Sequence, residues 1–147
     1  MHQSWKDSIH RQREQLACKL HAPLAHLGEQ CAPAWGNKDG LNRILMDGLA
    51  TVPYCTCLYA LDTNGLQICD NVGPAGIVSG HYARDRSQRP YMKEQVPAWG
   101  FLLSDAYIGL EVHRPQLTAL QVVRSAHGML GYLGADFDLR DLPVTSD

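Results

Sequence analysis

The segment Leu58-Tyr59-Ala60-Leu61-Asp62-Thr63-Asn64-Gly65-Leu66-Gln67-Ile68 carries the strongest fold signal in the sequence. From Tyr54 to Leu61 the chain is apolar at consecutive positions and rich in strand formers, which is typical of a central strand covered on both faces. The turn Asp62 to Gly65 contains Asn and Gly, which tolerate a positive φ, and we expect Asp62 to shape it. Leu66 to Cys69 is then predicted to return as a partner strand.

Two helices are predicted before this hairpin. Residues Ser4 to Gln30 form the first, and Pro23 is expected to kink or divide it. After a loop rich in Pro, Gly and Asn, Asp39 is predicted to cap a second helix that runs to about Ala50. The first helix carries an apolar stripe with three-, four- and seven-residue steps. Its members are Ile9, Leu16, Leu20, Leu24 and Leu27.

The rest of the chain predicts further short elements. They are a loop at Asn71 to Gly80, a short helix at Pro90 to Val96, an extended segment at Phe101 to Leu110, strands at Gln116 to Arg124 and Met129 to Asp138, and a closing turn at 138–142. This order favours an α+β fold, with N-terminal helices packed on one antiparallel sheet. We predict a single domain over 1–147, with the helices in 1–50 and the sheet and a pocket in 51–142.

Composition narrows the function. The chain has 147 residues, 45% of them hydrophobic, and a formal net charge of −2, which is too small to indicate a nucleic-acid partner. Five cysteines make an odd set that fits reduced thiols better than a disulfide framework. The first residues lack a secretory pattern, and the most apolar stretch, 44–61, is interrupted by Asp47, Gly48 and Pro53, so no membrane span is expected. We therefore expect a cytoplasmic location.

Four segments in order resemble the Cache family of PAS-like sensor domains (PDC sensor-like domains). The segment 58–68 resembles the family's Asp-x-x-Gly hairpin, and 84–91 resembles its Arg-Asp-x-Ser-x-Arg-Pro-aromatic segment. Residues 103–108 resemble its Ser-Asp-x-Tyr strand, and 133–139 resemble its closing Gly-x-Asp-x-x-Leu strand. The match covers roughly the last 90 residues.

The resemblance implies a five- or six-stranded antiparallel sheet with a pocket beside the Arg-Pro-aromatic segment. Such domains bind small metabolites, often amino acids, amines or carboxylates, and many are bacterial receptors that signal through a transmembrane helix. We find no such helix in this sequence. The downstream signalling protein is unidentified. The first helix resembles the one through which Cache domains pair, which implies a homodimer.

The same resemblance supplies the candidate ligand-binding residues. Arg89 offers a planar fork to a carboxylate, and Tyr91 a ring wall and a hydroxyl. Each has a structural alternative: Arg89 as an ion-pair partner of Asp85 or Asp105, and Tyr91 as a cover of the core. Asp105 and Asp136 stand where relatives bind a ligand's ammonium group; alternatively, Asp105 braces a turn and Asp136 pairs internally with an arginine. Further hydrogen bonds are expected from Tyr82 and Tyr107.

Other kinds of site have weaker support. Cys55 and Cys57 are predicted to project from the same strand face with Cys69 across the hairpin, but buried cysteines acting as small hydrophobes are the simpler interpretation of these thiols. We predict no metal and no cofactor. The sequence contains no phosphate-binding loop and no recognisable nucleophile–base pair, so we do not expect an enzyme. The leading hypothesis is a stand-alone sensor of a small molecule; the alternative is a ligand-free oligomerisation or partner-docking module.

Overall fold

The computed structural model describes residues 2–93, 96, 100–104, 107–108 and 115–142, and for residues 2–10, 12, 107 and 108 it describes the backbone alone. Two helices open the fold, α1 (His2–Cys31) and α2 (Lys38–Gly48), as predicted. Pro23 does not divide α1, which continues through it. A proline removes one intrahelical hydrogen bond, but Leu20 and Leu24 beside it are fully buried, and their packing holds the helix together.

The cap of α2 differs from the prediction. Helix α2 begins at Lys38, and the Asn37 side chain caps it by accepting a hydrogen bond from the Gly40 amide at 3.0 Å. Asp39 lies inside the first turn, where its charge suits the positive end of the helix dipole. The expectation that Asp39 is the cap was therefore wrong by two positions.

A single antiparallel sheet follows the helices. Its strands are β1 (Cys55–Asp62), β2 (Asn71–Gly73), β3 (Gly76–Val78), β4 (Phe101–Leu103), β5 (Tyr107–Ile108), β6 (Pro115–Ser125) and β7 (Gly128–Asp138). Along the path β3-β2-β1-β7-β6-β4 each strand pairs with its neighbours, and the two-residue β5 also pairs with β6. This arrangement confirms the predicted α+β fold with N-terminal helices on an antiparallel sheet.

Some local predictions were wrong. The predicted loop 71–80 contains the hairpin β2–β3, closed by the pair Gly73 and Gly76. Residues 66–69 do not form a continuous strand: Gln67 bridges to β1 at Leu61, while β2 is the strand that pairs with β1. The helix predicted at 90–96 is a 3₁₀ turn over 90–92, and another 3₁₀ turn covers 139–141.

The helices cover one face of the sheet. Residues Leu16, Leu20, Leu24 and Leu27 of α1 are buried in one core with alternate residues of β1, β6 and β7. Arg13 fixes the helix further, since its Nη2 donates to the carbonyls of residues 103 and 104 at 3.0 and 3.2 Å. The described part of the apolar stripe is therefore buried against this chain's own sheet.

The opposite face of the sheet has a second, smaller core. Tyr59 and Leu61 of β1, Leu120 of β6 and Tyr91 are buried together there. Tyr91 belongs to the segment that follows the hairpin and crosses this face. Among the described residues, no helix combines the length and apolarity that a membrane crossing requires.

Candidate functional site

The turn between β1 and Leu66 fixes the segment that covers the second core. Asp62 Oδ1 accepts hydrogen bonds from the amides of Asn64 and Leu66, both at 2.9 Å, which gives Asp62 the turn-shaping contacts expected of it. Gly65 has φ +87°, and its carbonyl accepts from the Arg86 amide at 2.9 Å. The turn therefore holds the backbone of Arg86 in place.

Gln67 provides a second attachment for this segment. Its amide donates to the Arg84 carbonyl and its carbonyl accepts from the Ala83 amide, both at 2.8 Å. The fully buried Gln67 side chain accepts from Arg86 Nε at 2.7 Å and donates to Asn71 Oδ1 at 2.9 Å. Backbone and side-chain contacts together direct the Arg86 side chain inward.

Arg86 lies over the second core. Its Cζ is 4.1 Å from the centroid of the Tyr59 ring, a cation–π contact. Arg86 Nη1 donates to the Tyr91 hydroxyl at 3.3 Å, and Nη2 donates to Asn71 Oδ1 at 3.0 Å. With the Nε bond to Gln67, three of the five N–H donors of a guanidinium are used by the described residues, and two remain.

Arg86 stays charged in this buried place. Burial lowers the pKa of its guanidinium, but Tyr59, Tyr91 and the carboxyl of Asp136 outweigh burial, and the net pKa is raised. A buried guanidinium with donors to spare is a natural partner for an anionic group.

Gly134 makes room for the Tyr59 ring. The two residues face each other across β1 and β7, and a Cβ atom on Gly134 would overlap the ring. The ring therefore lies over the bare backbone of β7. From there the Tyr59 hydroxyl donates to Asp136 Oδ1 at 2.7 Å.

Asp136 is the acidic group of this face. Its Oδ1 also accepts from the hydroxyl of Thr118 at 2.8 Å, the residue opposite it on β6. Within the described residues, Oδ2 has no hydrogen-bond donor. Burial raises the pKa of the Asp136 carboxyl, against the opposing effects of these two hydroxyls and of the charges of Arg86 and Arg89.

The polar groups stand in apolar surroundings. Leu61, Leu120 and Tyr91 are buried beside them. Partly buried apolar side chains complete the set, namely Cys57, Met92, Val96, Leu102 and Tyr132. A few placed polar groups within an apolar surface are the usual composition of a small-molecule site.

The cysteines correct one prediction. The pairing of β1 with β7 shifts between Cys55 and Cys57, so a β-bulge separates them. Cys55 packs with the helix-side core and Cys57 with the second core, so the expectation of a shared face was wrong. An extra residue in a bulge breaks the two-residue alternation. Burial raises the pKa of Cys55 to about 12 and that of Cys57 further, so both thiols hold their protons at neutral pH.

No cluster of three or more histidine, cysteine or acidic side chains suited to a metal ion occurs among the described residues. The arrangement built from Arg86, Tyr59 and Asp136 can instead form hydrogen bonds and ion pairs. Its charges are complementary to a ligand with an anionic group, a cationic group or both.

The structure brings three predicted site residues to this face. Tyr91 is buried there, Asp136 projects from β7, and the charge of Arg89 acts on Asp136. Tyr82 does not join them: 54% of it is exposed, and Lys38 Nζ lies 5.1 Å from its ring centroid. Asp105 lies outside the described residues.

Tyr107 is described only by its backbone, which pairs in β5 with Gln116 of β6. The contribution of its side chain therefore stays a prediction.

The residues that sequence reasoning missed share one property: each reaches the site through contacts distant in sequence. They are Tyr59, Gln67, Asn71, Arg86 and Thr118.

Of these residues, Thr118 had a usable signal and Arg86 had none. Arg86 stands in the same motif as Arg89, three positions earlier, but their spacing does not show which arginine points inward. The position of Thr118 could have been predicted from the register of the β6–β7 hairpin, because that register places Thr118 opposite Asp136.

No protein-family model matches the chain, and no curated protein matches it. Solved structures do match. An extracellular ligand-binding receptor from Desulfohalobium retbaense superposes with a TM-score of 0.72 at 15% identity, over 90% of this chain and 24% of that one. The sensory domain of the Campylobacter jejuni chemoreceptor Tlp3, with isoleucine bound, gives a TM-score of 0.68 at 13% identity, over 92% of this chain and 56% of that one. This chain has the fold of a sensory ligand-binding domain.

These matches agree with the predicted PAS-like, Cache-type fold. The chain spans about a quarter of the first receptor structure and about half of the second. The same fold occurs beside other domains. The YkuI protein of Bacillus subtilis, which has an EAL domain and was crystallised with its substrate c-di-GMP and calcium, gives a TM-score of 0.63 at 20% identity. That match covers 99% of this chain and 35% of YkuI.

Proposed function

We propose that this chain is a sensor domain that binds a small molecule on the sheet face opposite the helices. The ligand carries a carboxylate, an ammonium group or both, as an amino acid does. The observation that carries the proposal is the presence of Arg86 and Asp136 on one sheet face, a base and an acid within the same apolar surroundings, each with unused hydrogen-bonding capacity among the described residues.

The roles follow from the chemistry of the groups. Arg86 and Arg89 attract the ligand's carboxylate, and a guanidinium can grip two oxygens at once. Asp136 Oδ2 accepts from the ligand's ammonium group, while Tyr59 and Thr118 hold Oδ1 in position. Tyr91 closes the face as a wall. The isoleucine in the Tlp3 sensory domain supports an amino acid as the first ligand to test.

Binding without catalysis is part of this proposal. The receptor and chemoreceptor domains with the same fold are named for ligand binding and sensing. We infer that occupancy of the site changes the contact of this domain with a downstream signalling protein. The predicted homodimer would provide one route for that change.

The cytoplasmic location is a separate prediction. The first comparison structure is named as extracellular, so the fold is used outside cells as well. Fractionation of cells that carry the native gene, followed by immunodetection of the chain, would place it in cytoplasm, membrane or periplasm. Recovery outside the cytoplasm would contradict the prediction without affecting the ligand site.

A thermal-shift screen tests the function. Amino acids, amines and carboxylic acids are added one at a time, and a ligand that binds only the folded state raises the midpoint of unfolding. We expect at least one compound to raise it in the wild type, with the shift lost in Arg86→Gln, Arg89→Ala and Asp136→Asn. Tyr82→Phe is the matched control, because Tyr82 lies exposed beside Lys38. If the three site variants respond to the compound as the wild type does, the site is wrong.

A further inference from the structure

A cavity of about 320 Å³ lies between α1 and β6, on the helix side of the sheet. Its walls are Ala25, Gly28, Glu29, Gly100, Gln121, Val122, Val123 and Arg124. None of these residues belongs to the site around Arg86 and Asp136. The cavity has the volume of roughly ten waters in the liquid, so it can admit a small organic molecule.

Two glycines leave this space open. A Cβ atom on Gly28 of α1 would lie 3.4 Å from Val123 Cγ2 and 3.8 Å from Gln121 Cγ, within ordinary contact distance. Gly100 precedes β4 with φ +89°, a backbone conformation that other residues rarely adopt. Side chains at these two positions would fill the space between helix and sheet.

Gln121 lines the cavity and carries an unpaired polar group. The residue is only 7% exposed, and its Oε1 is a buried acceptor without a hydrogen-bond partner. Its Nε2 donates to the carbonyl of the adjacent Val122 at 3.3 Å. Buried amide oxygens are almost always satisfied, and the described residues supply no donor to this one, so its partner lies beyond the described residues.

The rim adds two opposite charges. Glu29 from α1 and Arg124 from β6 are exposed and line the same cavity, and neither forms an ion pair with a described residue. A molecule that carries both an ammonium and a carboxylate group matches this arrangement. An ammonium group is complementary to Gln121 Oε1 and Glu29, and a carboxylate is complementary to Arg124.

We propose that this helix-side cavity is a second ligand site, specific for a compact zwitterion with a primary ammonium group. It is independent of the site on the opposite face, since the two share no residue. Because a ligand here contacts both α1 and β6, it joins the helix to the sheet.

Backbone amide NMR of the full chain tests the proposal, with β-alanine and γ-aminobutyrate as probes. The amides of Gly28 and Gly100 report on the cavity, and those of Tyr59 and Gly134 report on the opposite face. We expect saturable shifts at Gly28 and Gly100 with the zwitterions, and much weaker ones with ethylammonium or propionate alone. Shifts confined to Tyr59 and Gly134, or no shifts with either zwitterion, overturn the second site.

Two variants make the test specific. Gln121→Leu replaces the unpaired amide by an apolar side chain of similar size, and loss of a buried hydrogen bond should weaken binding about tenfold. Gly28→Ala narrows the cavity with ordinary contacts and should weaken binding while the fold is kept. Arg43→Gln on the exposed side of α2 is the control. Unchanged affinity in Gln121→Leu contradicts the proposal, whereas loss of binding in Asp136→Asn alone would assign the probes to the other site.

Discussion

Arg86 places its guanidinium carbon 4.1 Å from the ring centroid of Tyr59, and the hydroxyl of the same tyrosine donates to Asp136 at 2.7 Å. One aromatic side chain thus contacts the base on its face and the acid at its tip. The ring thus contacts both charged groups. Among the described residues no hydrogen bond or ion pair links Arg86 directly to Asp136, so both can serve a ligand with two charges.

Removal of the Tyr59 hydroxyl should be costly. Tyr59→Phe deletes a donor to a carboxyl whose surroundings are apolar, and we expect a loss of about 1–3 kcal/mol in the free energy of unfolding. The measurement is urea denaturation of wild type and variant. Tyr132→Phe, on the same face but outside the described hydrogen bonds of the network, should cost less than about 0.5 kcal/mol. Equal costs for the two variants would show that the Tyr59–Asp136 bond adds nothing.

Gly134 should tolerate no side chain. In Gly134→Ala the new methyl group overlaps the Tyr59 ring, and we expect a loss of about 1–3 kcal/mol, since overpacking forces the ring out of place. Gly28→Ala is the matched control in α1, where the methyl group meets its neighbours at contact distance. It should be neutral or stabilising by up to about 1 kcal/mol because alanine favours a helix. Thermal or urea unfolding of both variants measures the change in the free energy of unfolding. A Gly134→Ala variant as stable as the wild type would contradict the packing of the Tyr59 ring against Gly134.

The pH dependence of stability should report on Asp136. Burial raises the pKa of its carboxyl in the folded state above the ordinary value of 3.8. Between that value and the raised one, folding takes up a proton, so stability contributed by this group is present at low pH and is lost as the pH rises. The free energy of unfolding of wild type minus that of Asp136→Asn should therefore fall as the pH rises from about 4. Urea titrations of both proteins over this range measure it; a difference that grows with pH would reverse the sign and contradict the assignment.

Ligand affinity should also depend on the ionisation of Asp136, but affinity should rise with pH where the stability contributed by Asp136 falls. An ammonium group needs the ionised carboxyl of Asp136, so binding of an amine or amino acid should strengthen as the pH rises through the raised pKa. Calorimetric titration of a screening hit at several pH values measures this dependence. For a purely anionic ligand the affinity should not rise with pH, because the ionised Asp136 repels an anion, so the profile tests the ligand's orientation.

Thiol reactivity should separate one cysteine from the rest. Cys18 is exposed on α1, whereas burial raises the pKa of Cys31 to about 12, of Cys55 to about 12 and of Cys69 to about 11, and that of Cys57 still higher. Because the thiolate is the reactive form, a chromogenic disulfide reagent at neutral pH should modify one thiol quickly in the native protein and the others only on unfolding. Cys18→Ser should abolish the fast phase. Two or more fast thiols would contradict the burial of the strand cysteines.

The sequence predicted the elements whose patterns are local and regular. Helix α1 follows from leucines at helical spacing, and β6 and β7 follow from two apolar segments around a short turn. The hairpin β2–β3 was missed because the segment 71–80 contains three glycines and one proline, a composition typical of loops. Its strands are held by pairing with β1 at Leu58 and Val72, a contact that no local pattern contains.

The site was predicted in part for the same reason. Asp136 and Tyr91 were found because each stands in a recognisable motif. Arg86 was passed over in favour of Arg89, since spacing alone does not say which arginine points inward. The choice is made by Gln67, 19 residues earlier, whose backbone pairs with residues 83 and 84 and whose side chain receives Arg86 Nε. Such a choice appears only when the two segments are seen together.

The most direct measurement is a crystal structure of the chain with the compound that gives the largest thermal shift. Our account predicts ligand density on the sheet face opposite the helices, with an anionic group at the free donors of Arg86 and a cationic group at Asp136 Oδ2. Density found elsewhere, with Arg86 and Asp136 contacting only protein and solvent, would contradict it.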